Sequence, residues 1–109
     1  MHSKSDRIRT LNDHLRTTFI GGRILITSSV AMLEQGVKAR VLLAVRNFKE
    51  FDADNDPYHE HDLAFFEVDG ERYFFKVDYY DLSANCHSAD PTDPERTCRV
   101  LTIGHHSDY

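Results

Sequence analysis

The sequence predicts an α+β fold: two long helices and a short helical turn packed on one face of a mostly antiparallel sheet of about four strands. Three observations carry that reading. Asp69-Gly70 separates two aromatic, alternating runs and is a favoured pair for a two-residue hairpin turn. Ile8, Leu11, Leu15 and Phe19 recur at spacings of three and four, the stripe of a 3.6-residue period. Arg23-Ile-Leu-Ile-Thr27 and Cys98-Arg-Val-Leu-Thr-Ile103 are short and rich in β-branched residues, as strands are.

The first helix opens at Ser3-x-x-Asp6, a capping box that answers free N–H groups and puts a carboxylate at the positive end of the helix dipole. Arg7, Arg9, Asp13 and Arg16 fall off its apolar stripe, and Gly21-Gly22 is read as its end, since glycine accepts the left-handed cap. After the first strand, Ser28 or Ser29 caps a short turn through Val30–Leu33 that is interrupted at Gly36. The second long helix turns Val37, Val41, Ala44, Val45 and Phe48 inward and Lys38, Arg40, Arg46 and Lys49 outward. Residues 50–62 form an acidic loop of a length at which loops tend to be functional.

The turn at Asp69-Gly70 fixes the hairpin register. Phe66 faces Tyr73, Ala64 faces Phe75 and Val68 faces Glu71 on one side; Phe65 faces Phe74 and Glu67 faces Arg72 on the other. The first face is read as core. The second, with Phe65 and Phe74, is either covered by a chain segment or a contact patch. Leu82–Pro94 is a loop, and Gly104–Tyr109 a tail.

The 109 residues suit one domain, 1–109, and contain no apolar run near the roughly 20 residues of a membrane span. Met1–Asp6 runs straight into the amphipathic stretch without an apolar leader, so a cytoplasmic protein is expected. Cys86 and Cys98 match neither C-x-x-C nor a zinc knuckle; free thiols are the ordinary reading, a disulfide across the loop the other.

Charge divides the chain. Residues 1–49 carry nine basic and three acidic side chains (+6); residues 50–109 carry four and fifteen (−11). Such asymmetry points to a polarised, interacting surface unless the halves interleave and neutralise one another.

Several constellations offer chemistry. Asp52-x-Asp54-x-Asp56 begins like a calcium loop, but Pro57 stands where the turn needs Gly, and Leu63 where a bidentate Glu is required. A looser site from Asp54, Asp56, His59, His61 and Asp62 has ligand types suited to Zn, Mn or Fe. It supports a metal-dependent enzyme or metal-binding protein as the alternative function. Against it stands a solvated loop whose Asx side chains cap turns. Glu60-His61-Asp62 and Asp78-x-x-Asp81 supply acids and bases without a nucleophile beside them, so no catalytic residue is assigned, no cofactor is expected and enzymatic activity is not the favoured reading. Direct nucleic-acid binding through the basic helices is a second alternative. It is disfavoured because the aromatic strand Tyr73–Tyr79 lies in an acidic neighbourhood that repels phosphate.

Leu11-Asn12-Asp13, Gly21-Gly22-Arg23, Asn55-Asp56-Pro57, Glu60-His61-Asp62, Phe66–Phe74, Asp78-Tyr79-Tyr80-Asp81 and Val100–Ile103 together give the chain a family likeness. From about Arg7 to Tyr109 it resembles a bacterial family of small proteins known as a domain of unknown function, numbered three-seven-six-eight. His59, where a small residue is expected, and His105-His106 depart from the pattern. The resemblance implies carriage on plasmids and other mobile elements, with accessory roles such as countering host defence, and no known activity.

Eleven carboxylates lie between Glu50 and Asp81, against Arg72 and Lys76. Clustered on one side they would steer the protein to a basic groove and compete with a nucleic-acid backbone. The leading expectation is a small acidic non-enzymatic module that inhibits a host nucleic-acid-binding defence complex, of the anti-CRISPR or anti-restriction kind, with DNA mimicry as its mode. Its partner surface would comprise Asp52, Asp54, Asp56, Glu60, Asp62, Glu67, Asp69, Glu71, Asp78 and Asp81, with Phe65 and Phe74. The partner would be a host protein or complex with a basic nucleic-acid-binding surface.

Overall fold

The computed structural model describes residues 3–109; Met1 and His2, where the argument about a leader begins, lie outside the described residues. Helix α1 spans Lys4–Thr18, strand β1 Arg23–Ile26, helix α2 Ser28–Ala31 and helix α3 Gln35–Asn47. Strands β2 (Leu63–Val68), β3 (Glu71–Tyr80) and β4 (Cys98–His105) follow, then a 3₁₀ turn at His106–Asp108. The sheet order is β1-β4-β3-β2, parallel between β1 and β4 and antiparallel elsewhere. The fold is therefore the expected α+β arrangement. Among the described residues no helix is long and apolar enough to cross a membrane.

The hairpin follows its local chemistry. Asp69 and Gly70 both take positive φ, 54° and 81°, as the tight turn requires, and every predicted cross-strand pair is present. Alternation then sorts the side chains. Tyr73, Phe75 and Val77 of β3 join Ala64, Leu101 and Ile103 on the covered face. There they meet Leu15 of α1, Val30 of α2 and Val41 and Val45 of α3, all fully buried.

Six details correct the sequence reading. Helix α1 ends through Phe19 rather than the glycines: Phe19 is left-handed (φ 59°), its N–H bonds the Leu15 carbonyl at 2.7 Å, and the Arg46 guanidinium lies over its ring. Gly22 serves close approach instead, since a Cβ there would stand 2.5 Å from the Arg99 carbonyl oxygen. Thr27 caps α2 in place of Ser28 or Ser29, without a side-chain bond to the helix. Gly36 lies inside the first turn of α3, which Glu34 caps by accepting from the Val37 N–H at 3.1 Å.

Arg16, expected on the solvated side of α1, is 4% exposed. Its Nη1 donates to the carbonyls of Val45 and Phe48, both at 2.9 Å, and so closes the C-terminal end of α3. The segment after Ile103 is no loose tail. Strand β4 continues through Gly104 and His105, and Asp108 accepts from Thr27 Oγ1 at 2.8 Å and from the His105 N–H at 3.1 Å. These bonds fold Tyr109 back over the uncovered face of the sheet, where its ring meets Phe65 and Phe74 edge-on at 5.2 Å each.

The fit at Gly104 yields a test. A Cβ there would lie 2.7 Å from Phe74 Cε1 and 2.8 Å from Thr27 Cγ2. Gly104→Ala should cost about 1–3 kcal/mol in urea unfolding, the usual consequence of overpacking. An unchanged midpoint would mean that the ring and the threonine yield freely.

Candidate functional site

The acidic loop is built by its own side chains before anything else touches it. Asp52 Oδ1 accepts from the N–H groups of Asp54 and Asn55, each at 2.9 Å. Asn55 Oδ1 accepts from the Asp52 N–H at 2.8 Å, and its Nδ2 donates to the Glu50 carbonyl. These Asx turns are why so polar a segment holds one shape. The positive φ of His59 (59°) and His61 (55°) are its strained points, and the first coincides with the position where a small residue was expected.

Inward-facing groups dock the loop on α1. Asn12, fully buried, donates through Nδ2 to the Glu60 carbonyl (3.0 Å) and the Tyr79 hydroxyl (2.8 Å). Its Oδ1 accepts from Arg99 Nε at 2.8 Å, and the Tyr79 hydroxyl donates to Glu60 Oε1 at 2.9 Å. Burial drives the Tyr79 phenol far above its ordinary pKa and presses that of Arg99 down. His61 lies flat on Phe51, ring centroids 3.8 Å apart, with Nδ1 donating to Asp13 Oδ1 at 2.9 Å. Its Nε2 faces Asp56 Oδ2 at 3.5 Å, and Asp56, 3% exposed, accepts the His61 N–H.

This arrangement anchors the loop, and no hydroxyl or thiol hydrogen-bonds the His61 ring among the described residues. Both imidazole nitrogens face carboxylates, and the nearby Thr17 hydroxyl is spent on the Asp13 carbonyl at 2.7 Å. Nor does the candidate metal set converge. Asp13 and Asp56 approach opposite nitrogens of His61, while Asp54 and His59 are exposed. Among the described residues no three His, Cys, Asp or Glu side chains gather as metal ligands.

The predicted partner surface divides. Asp69 pairs with Arg40, Asp78 with Lys76 at 3.0 Å, and Glu71 with His105 at 2.9 Å, while Asp56 is turned inward to His61. Asp52, Asp54, Glu60, Asp62, Glu67 and Asp81 have no cationic side chain within 4.0 Å among the described residues. Of these, Glu60 takes the Tyr79 hydroxyl, and Asp81 caps its own loop through Ser83 and Asn85. Asp54 and Glu67 are outward with no hydrogen bond to their carboxylates among the described residues, and Asp52, also exposed, holds its turn through Oδ1. Glu67, on the edge strand β2, shares a depression of about 470 Å³ with Glu50 and Lys49. Phe74, 2% exposed beneath Tyr109, is removed from any direct contact, and Arg72 lies over the Phe65 ring at 4.8 Å.

Asp62 carries a distinct electrostatic load. Burial raises its pKa above the ordinary 3.8, and Glu60, Asp56 and Asp78 add repulsion. The folded state therefore holds this proton more tightly than the unfolded chain. Stability falls as pH rises from 3.8 through the raised value. Asp62→Asn should raise the melting temperature at neutral pH, and the gain should shrink to nothing as pH drops below 3.8. A pH-independent gain would assign the effect to packing.

Two helices and a helical turn on one face of a four-stranded mixed sheet, with an acidic loop pinned across α1, define a small α+β protein. The chain belongs to the family described as a protein of unknown function (DUF3768), which it matches over residues 26–108. No curated protein and no solved structure matches it.

Proposed function

We propose that the protein is a non-enzymatic interaction module, an accessory of mobile elements, that inhibits a host nucleic-acid-binding defence complex in the bacterial cytoplasm. Its outward carboxylates, chiefly Asp52, Asp54 and Glu67, stand in for the phosphates of a nucleic-acid backbone. One observation carries this reading. Of the nine cations in residues 1–49, only Arg40 ion-pairs with an acidic side chain from residues 50–109 among the described residues. The others are used elsewhere or face solvent: Arg16 caps α3, Arg9 pairs with Asp6 and reaches the His59 carbonyl, and Arg46 donates to the Thr17 carbonyl. The negative half thus keeps its field, and the buried anchors hold the loop so that little ordering entropy is lost on binding.

The test is capture of a partner from host lysate at about 50 mM and about 300 mM salt, on either side of the physiological screening regime. Retention should fall sharply at the higher salt and be lost in the triple variant Asp52→Asn, Asp54→Asn, Glu67→Gln. Asn at position 52 retains an oxygen for the turn, so the loop survives. Retention indifferent to both salt and neutralisation contradicts the proposal.

A further inference from the structure

The face of the sheet turned away from the helices holds a groove that the acidic loop does not explain. Register shows how it forms. Arg23 of β1, Val100 of β4 and Asp78 of β3 lie in one row; Leu25, Thr102 and Lys76 lie in the next. Strand β4 thus supplies a floor of short side chains, while its neighbours on either side supply long ones. Adjacent strands are about 4.8 Å apart, so the walls stand about 10 Å from each other across that floor. Tyr80 and Ala84 also line the groove, whose volume is about 580 Å³.

Size and lining match a small-molecule site: mostly apolar surface with a few polar groups. The charges choose the ligand. Arg23 has no carboxylate within 4.0 Å among the described residues, and it rises one row from Lys76, whose single carboxylate partner is Asp78. The Thr102 hydroxyl lies between these two walls and makes no hydrogen bond to a side chain among the described residues. Leu25, 57% exposed, Val100 and the Tyr80 ring offer an apolar bed beside them.

We propose that this groove binds a small amphiphilic anion, with a flat apolar body along Val100 and Tyr80 and its acidic head between Arg23 and Lys76. The site lies on the face opposite the helices and does not depend on the carboxylate mimicry proposed above.

The probe is anilinonaphthalene sulfonate, titrated beside N-phenylnaphthylamine, the same body without the sulfonate. Fluorescence should show one saturable site per chain for the sulfonate, and amide shifts should centre on Leu25, Val100 and Thr102. Arg23→Gln should weaken the sulfonate by about tenfold, the scale of one charge-assisted hydrogen bond, and leave the neutral dye within about twofold. Thr102→Phe, which raises the floor, should abolish both while the melting curve confirms folding. Equal affinity for the two dyes, an unsaturable signal, or shifts centred on Phe65 and Phe74 beneath Tyr109 would each overturn the proposal. So would a concentration-dependent dimer that buries this face.

Discussion

Asn12→Leu should lower stability by about 3–4 kcal/mol, a large share of the roughly 5–15 kcal/mol that holds a domain of this kind together. The side chains are similar in size, so the loss is not a cavity. Leucine leaves Arg99 Nε without its 2.8 Å acceptor and strips one donor from the Glu60 carbonyl and the Tyr79 hydroxyl. Arg99 is 3% exposed and, among the described residues, keeps only the Pro91 carbonyl and the face of the Tyr79 ring. A buried cation deprived of a partner is the costly element. Adding Arg99→Met should recover part of the loss, so the double variant should fall short of the two single effects combined. Additivity in urea unfolding would show that the network is not a unit.

Arg16→Met is expected to cost about 3 kcal/mol, and Arg16→Lys about half as much. Methionine retains the stem over Phe51 and Phe75, where the guanidinium carbon lies 5.3 Å from each ring centre. It leaves the Val45 and Phe48 carbonyls at the end of α3 unanswered and reduces Asp13 to its bond with His61. Lysine keeps the charge but lacks the planar fork that reaches both carbonyls and Asp13 together. The local signature is faster amide exchange in the last turn of α3 relative to β3. Uniform acceleration would indicate a global effect alone.

The sequence made the hairpin legible because its information is local. A two-residue turn leaves one register, and alternation then sorts Phe66, Tyr73 and Phe75 from Phe65 and Phe74. The stripe of α1 was plain in part: Ile8 and Leu15 are buried, whereas Leu11 is half-buried outside the core cluster and Phe19 stands beyond the helix end. Hidden from it were Asn12 and Arg16, four residues apart and both buried, because an apolar pattern gives no signal for a polar side chain turned inward. Their partners, Glu60, Tyr79 and the end of α3, come from distant parts of the chain, and no periodicity reports on them. The acidic loop was visible as a charge count, but not its division. Asp56 turns inward because the left-handed His59 and His61 bend the chain around it, while Asp52 and Asp54 stay outward. Tyr109 escaped notice for a similar reason: its position is set by Asp108 reaching Thr27, 81 residues away.

Competition with nucleic acid is the most direct measurement of whether these carboxylates imitate a phosphate backbone. A captured partner is loaded with fluorescent duplex DNA and titrated with the protein, followed by anisotropy. The wild-type chain should displace the duplex in a salt-dependent manner, and the Asp52→Asn, Asp54→Asn, Glu67→Gln variant should leave it bound. Formation of a ternary complex with the duplex still in place, or equal displacement by the neutralised variant, would contradict the account.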